Sequence, residues 1–308
     1  MKYKVFIDGG EGTTGLKIHN YFKKRDDIEL LKIDSSRRKD LEERLAFVKK
    51  ADVSFLCLPD SAAREIAAAA PKDCRILDTS TAHRTDKDWV YGMPEIDKNR
   101  REAIRNSNRV AVPGCHATGA IMLIKPVIEA GLLKNDYPFS VFSLTGYSGG
   151  GKKMIAQYES EERKSGDALQ SPRQYGIEQT HKHLPEIVKA AGLKTSPAFI
   201  PVVADYYSGM EVTVPVKGIA GGKAYVKKVF EEYYKGQPLV KVEESIDDNG
   251  FIEANRLSGT NQLKICISGS NENILLIALY DNLGKGASGA AVQNMNIMLG
   301  IQEEKGLL

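Results

Sequence analysis

The first third of the chain alternates short β-branched runs with amphipathic ones, and this alternation limits the possible folds more than any other feature. Strand patterns fall at "KVFID" (4–8), "IELLKID" (28–34), "VSFLCLP" (53–59), "RILDTS" (75–80) and "RVAVP" (109–113). Between the first four lie "TTGLKIHNYFKKR", "LEERLAFVKKA" and "SAAREIAAAA", whose apolar spacing suits helices packed on a sheet. Strands separated by a helix are laid parallel, so the rhythm predicts an α/β fold with a doubly wound parallel sheet.

After about residue 136 the rhythm changes. The longer runs "FSVFSLTGY", "AFIPVVADYYSGMEVTVPV", "LVKVEE", "LKICIS" and "NILLIALYDNL" predict a second, α+β domain with a mostly antiparallel sheet. The segment "GASGAAVQNMNIMLGIQ" (286–302) is rich in small residues and helix-spaced, and is expected to return to the first domain. The expected division is therefore 1–116 with a C-terminal helix at 285–308, and 117–284, a reasonable partition of 308 residues. A formal net charge of +3 gives no argument for nucleic acid, and no run approaches the roughly 20 apolar residues that span a bilayer. "MKYKVFIDGG" enters a strand at once, with no signal peptide ahead of it, so a cytoplasmic protein is expected.

"VFIDGGEGTTGLKI" contains Gly10-x-Gly12-x-x-Gly15 directly after a strand and opening a helix, with a second strand ending about twenty residues on. In such a loop the first glycine makes a tight turn, the second lets backbone N–H groups approach a pyrophosphate, and the third lets helix and strand touch. A Rossmann-type dinucleotide site follows, with Thr13 and Thr14 in the same loop. At the end of the second strand, Asp34 suits a ribose diol, whereas Ser35, Ser36, Arg37 and Arg38 offer hydroxyls and guanidinium forks for a 2′-phosphate, which favours NADP(H).

Four cysteines, at 57, 74, 115 and 266, form no C-x-x-C pair in a chain too large to need disulfide staples, so they read as reduced thiols and no metal site is implied. Cys57, Cys74 and Cys266 read as small core residues. Cys115 differs: in "RVAVPGCHATGAIMLIKPV" it follows a Pro-Gly turn at or just before a helix expected over 117–133. Helix-terminal N–H groups stabilise an anionic sulfur there and can hold an oxyanion on a substrate bound to it. A thiol nucleophile needs an acid/base partner, and there are five histidines. His19 is expected on the first helix facing solvent, His83 in a polar loop, and His116 pointing away from the thiol. "THKHLPEI" offers His181 or His183, with Glu186 placed to orient one imidazole.

Taken in order, "ILDTSTAHRTDKDWVYGMPEI", "PGCHATGA", "SLTGYSGGGKK", "HKHLPEI" and "DNLGKGASGAAVQNMN" resemble N-acetyl-gamma-glutamyl-phosphate reductases of arginine biosynthesis, in their shorter form, over essentially the whole chain. Aspartate-semialdehyde dehydrogenases are relatives in architecture. The resemblance implies NADPH-dependent reduction of an acyl phosphate to a semialdehyde with release of inorganic phosphate, Cys115 as nucleophile and a histidine of "HKH" as acid/base. It also implies that Ser148, Gly149, Gly150 and Gly151 border cofactor and substrate, that Asn282 and Gly286 meet the nicotinamide end, and that copies of the chain join as a homodimer or homotetramer through the second-domain sheet. Arg84, Lys152, Lys153 and Arg173, in or near the matched loops, are candidates for holding the substrate's phosphate and carboxylate. Two departures stand out: His116 follows the cysteine where many members carry an aromatic, and "ADYYSGM" (204–210) replaces a Pro-x-x-Arg-Gly sequence of longer members. The competing readings are an aspartate-semialdehyde dehydrogenase, a Cys–His hydrolase or amidotransferase with no use for a hydride, and a noncatalytic NADP-sensing module.

Overall fold

The computed structural model describes residues 2–10, 12–163 and 166–308. The chain divides into two compact units, Met1–Pro113 with Ala287–Leu308, and Gly114–Gly286. The junctions fall at 113/114 and 286/287, against the expected 116/117 and 284/285.

The first unit runs β1 (Tyr3–Asp8), α1 (Thr13–Phe22), β2 (Ile28–Leu31), α2 (Leu41–Lys50), β3 (Val53–Leu56), α3 (Asp60–Ala69), β4 (Ile76–Asp78), β5 (Val90–Tyr91), α4 (Arg100–Asn106) and β6 (Arg109–Ala111). Among the described residues these strands form one sheet in the order β2-β1-β3-β4-β6-β5, every pair parallel. Val53, Phe55, Leu56, Ile76 and Leu77 are wholly buried because helices cover the sheet faces, as a strand apolar on both sides requires. The second strand stops at Leu31 rather than at 34, because the Asp34 carboxylate accepts from the Ser36 backbone N–H and hydroxyl and turns the chain.

A closing helix, Gly289–Met298, belongs to this unit, as "GASGAAVQNMNIMLGIQ" predicts, but it is far shorter than 285–308. Gly300, at φ +69°, ends it. Its amides clamp the unit: Asn294 donates to the Gly92 carbonyl, Gln293 to Glu95, and Asn296 accepts from Arg25.

The second unit runs α5 (Cys115–Glu129), β7 (Ser140–Gly146), α6 (Gly151–Tyr158), β8 (Arg173–Gln174), α7 (Leu184–Ala191), β9 (Ala198–Ala204), β10 (Met210–Lys217), α8 (Gly222–Tyr233), β11 (Val240–Glu243), β12 (Leu263–Gly269) and β13 (Asn273–Tyr280). The sheet order is β11-β12-β13-β10-β7-β9-β8, with β11–β12 and β7–β9 parallel and the other pairs antiparallel. The run 198–216 splits into β9 and β10, which flank β7 on opposite sides. The turn between them ends at Gly209, whose φ of +126° and a Cβ position 2.4 Å from Asn255 Cα admit only glycine. The helix expected at 117–133 starts at Cys115 and ends at Glu129. It passes through Pro126 because the Met122 carbonyl, deprived of the proline N–H, accepts from the Tyr234 hydroxyl at 2.6 Å. Among the described residues no helix is long and apolar enough to cross a membrane.

Candidate active site

In the first unit the glycine loop is built as a cradle. The tight turn falls on Gly9, which the motif reading passed over: it has φ +79°, and a Cβ there would lie 2.3 Å from the Cys57 carbonyl oxygen. On Gly15 a Cβ would meet Gly10 Cα at 2.7 Å, so this glycine lets α1 close on the loop. Gly12 is the N-cap of α1, with no side chain capping the helix and no acidic residue in its first turn; nothing would lie nearer than 3.5 Å to an added Cβ. Uncapped N–H groups at an open glycine fit the pyrophosphate of a dinucleotide. His19, expected in solvent, is half-buried instead: its Nε2 would lie 2.6 Å from a Cβ on Gly10, and burial lowers its pKa below the ordinary histidine value.

Beyond β2, Ser36 is tied to Asp34, and Arg37 pairs with Glu43 at 2.7 Å, while Ser35 and Arg38 are exposed. His83 lies in the loop between β4 and β5, as expected. It is buried, its Nδ1 lies 2.6 Å from the buried Asp78 carboxylate, and its ring stacks on Trp89 at 4.1 Å. Arg84 donates to the Val112 and Thr79 carbonyls at 2.9 and 3.0 Å, so part of its fork braces the loop.

In the second unit, Cys115 is the first residue of α5, and three contacts fix its backbone. Tyr280 Oη donates to the Cys115 carbonyl at 2.6 Å and accepts from the Gly119 N–H at 3.0 Å, inserting itself into the first helical turn. The Gly114 N–H donates to Glu186 Oε1 at 2.7 Å, in a carboxylate only 1% exposed. Glu186, expected to orient an imidazole, places its carboxylate on the Gly114 N–H just ahead of the thiol. Gly286 packs on the cysteine, since a Cβ there would lie 3.1 Å from Cys115 Cβ.

The histidines converge on this helix end. His116 is buried, with ring centroids of His181 and His183 at 5.6 and 5.5 Å, and those two 4.8 Å from each other. Burial pushes His116 down to about 3 and His181 down to about 4, so both are neutral at physiological pH. A proton on His181 further disfavours one on His116. His181 Nδ1 accepts from the His183 backbone N–H, and His183, the N-cap of α7, is 4% exposed. His116 Nδ1 lies 2.7 Å from Ser143 Oγ and its Nε2 lies 2.6 Å from Tyr175 Oη. The sequence reading missed Ser143, Tyr175 and Tyr280; no local pattern marks them.

Ser148 and Asn282 are buried and hold each other: Asn282 Nδ2 donates to Ser148 Oγ at 3.1 Å and Asn282 Oδ1 accepts from the Gly209 N–H at 2.9 Å. Gly149 abuts the Asn282 amide, Gly150 abuts Met154, and Lys152 and Lys153 are exposed on α6. Arg173 donates to Tyr158 Oη at 2.9 Å, with its guanidinium over that ring; Arg163 pairs bidentately with Asp205.

Residues 115–282 match a domain family described as semialdehyde dehydrogenase, dimerisation domain, and residues 4–107 match semialdehyde dehydrogenase, NAD binding domain. The chain is 42% identical to N-acetyl-gamma-glutamyl-phosphate reductase 2 of a Nostoc species, over 99% of each chain. It is 44% identical to N-acetyl-gamma-glutamyl-phosphate reductase of Brucella anthropi, over 97% of this chain and 99% of the relative. Among solved structures, aspartate semialdehyde dehydrogenase II of Vibrio cholerae aligns with a TM-score of 0.72 at 16% identity, covering 97% and 99% of the two chains. The Candida albicans aspartate semialdehyde dehydrogenase with NADP aligns at 0.69 and 13%, with the same coverage. At those identities the structural likeness speaks for the fold alone.

Proposed function

Since this chain belongs to the N-acetyl-gamma-glutamyl-phosphate reductase family, we propose that it reduces N-acetyl-gamma-glutamyl phosphate to N-acetylglutamate 5-semialdehyde in arginine biosynthesis, through a thioester on Cys115. The carrying observation is the helix-terminal Cys115 with its backbone braced by Glu186 and Tyr280, on a helix end where the His116, His181 and His183 rings gather.

One imidazole of the pair His181 and His183 takes the thiol proton. The sulfur attacks the acyl carbon, a C–S bond forms, and phosphate leaves with the C–O bonding pair. Backbone N–H groups at the start of α5 hold the tetrahedral oxyanion; one such donor contributes about 10²–10³ in rate. When bound, NADPH supplies the hydride that converts the thioester to a thiohemiacetal oxyanion. Collapse of that oxyanion frees the aldehyde, the C–S pair returns to sulfur, and the imidazolium restores its proton.

Gly10, Gly12, Thr13, Thr14 and Gly15 would hold the pyrophosphate, Ser35, Ser36, Arg37 and Arg38 the 2′-phosphate, and Ser148, Gly149, Gly150, Asn282 and Gly286 the nicotinamide end. Arg173, Lys152, Lys153 and Arg84 remain the cationic candidates for the substrate's anionic groups. A homo-oligomer built through the second sheet is supported by the dimerisation-domain match and by Phe142 and Leu275, each 36% exposed on that sheet. We place the enzyme in the cytoplasm.

The test is phosphate-dependent oxidation of N-acetylglutamate semialdehyde, against aspartate semialdehyde, with NADP and with NAD. The proposal expects preference for the longer aldehyde and for NADP. Preference for aspartate semialdehyde, or turnover indifferent to phosphate, contradicts it.

A further inference from the structure

His116 has no part in the thioester route, yet it occupies a costly place. Its ring is 3% exposed, and a buried imidazole must have its nitrogens satisfied. Both are, by hydroxyls from opposite sides: Ser143 Oγ on β7 at 2.7 Å and Tyr175 Oη at 2.6 Å. A phenyl ring would fill the same space without this expense, so the hydrogen bonds themselves need a reason.

Tyr175 supplies it. It follows β8 directly, is partly exposed, and touches the buried cluster through its hydroxyl. Its ionisation is opposed first by burial and then by the charge of Cys115, so the phenol lies within electrostatic reach of the sulfur. A tyrosine held above its ordinary pKa stays protonated, and therefore a donor, at any pH at which the enzyme would work.

A neutral imidazole carries one N–H, so the Ser143–His116–Tyr175 chain has two arrangements. If Tyr175 gives its proton to Nε2, its hydroxyl is spent within the protein. If Ser143 donates to Nδ1, then His116 Nε2–H donates to the phenol oxygen and the tyrosine proton is left for a ligand. We propose that the second arrangement operates: Tyr175 donates a hydrogen bond to the oxygen of the acyl group carried by Cys115, and His116, braced by Ser143, is the positioning residue that aims it. The inference rests on the thioester reading. No proton need change owner, since the tyrosine O–H strengthens its bond as negative charge grows on that oxygen and relaxes when the carbonyl is restored.

The experiment compares kcat and KM of Cys115→Ala, Tyr175→Phe, His116→Phe, His116→Gln and the Tyr175→Phe/His116→Phe double variant, with thermal melting of each. Tyr175→Phe should lower kcat about 10²-fold with KM changed less than threefold, the signature of a contact made in the transition state. His116→Phe should lower kcat at least tenfold, the double variant should be no slower than Tyr175→Phe alone, and His116→Gln, which keeps an N–H near the Nε2 position, should recover most of the loss. Wild-type kcat in Tyr175→Phe, or multiplicative losses in the double variant, overturns the proposal. If His116→Phe does not fold, Tyr175→Phe and His116→Gln decide it. Cys115→Ala dead while Tyr175→Phe is normal removes this proposal alone; Cys115→Ala active removes the thioester reading and this one with it.

Discussion

The backbone around Cys115 is held by groups far away in sequence rather than by a neighbour. Glu186, 71 residues on, holds the Gly114 N–H just ahead of the sulfur-bearing residue, and Tyr280, 165 residues on, holds the Cys115 carbonyl. Cys115 and "HKH" were legible as candidates because a Pro-Gly turn, a thiol and paired histidines are local patterns. His116, Ser143 and Tyr175 were not, because their contacts exist only after β7 and β8 have been brought beside α5. Burial keeps His181 neutral down to about pH 4, so with His181 as base the acid limb of kcat/KM lies near 4 instead of near the ordinary 6.5. A pH profile of the wild type and of His181→Asn checks this. Loss of that limb in the variant assigns the base to His181; an unchanged limb assigns it to His183.

At the scale of elements, the strand-helix alternation carried the first sheet, since a parallel strand buried on both faces has to be continuously apolar. What escaped were endings and pairings. β2 stops where the Asp34 side chain turns the chain, and β9 and β10 separate at Gly209 to lie on either side of β7, a choice that depends on strands far away in sequence. The closing helix was legible as a helix, but its buried amides were not, for they act on Gly92, Glu95 and Arg25 across the first unit. α5 carries its own constraint at Gly119: a Cβ there would lie 2.7 Å from both Tyr280 Oη and Val212 Cγ2. Gly119→Ala should therefore cost about 1–3 kcal/mol in chemical denaturation, by overpacking. It should also lower kcat, because the tyrosine it displaces braces the Cys115 carbonyl. A fully stable, fully active Gly119→Ala would contradict this packing.

At the scale of the whole molecule, Glu211 couples stability to pH. It lies on β10, is 8% exposed, and burial pushes its carboxyl up to about 7 against a pull downward from the Thr213 hydroxyl. The folded state thus binds a proton that the unfolded state has released between about pH 4.5 and pH 7. Stability from this group is present below the unfolded value and is lost as pH rises through the folded one. The loss is roughly 3 kcal/mol over that window. Glu211→Gln should flatten the fall in unfolding free energy across pH 4.5–7; an identical slope in variant and wild type refutes the assignment.

The chain carries a dinucleotide cradle in one unit and a braced thiol in the other, and on the proposed route the sulfur carries the acyl group while it awaits a hydride. The direct measurement is to mix the enzyme with the acyl phosphate in the absence of NADPH, quench with acid within milliseconds, digest, and weigh the peptide containing residue 115. The account predicts the acyl mass on Cys115, lost on adding NADPH before the quench and absent from Cys115→Ala. An unmodified peptide from an enzyme that turns over normally when NADPH is supplied would contradict it.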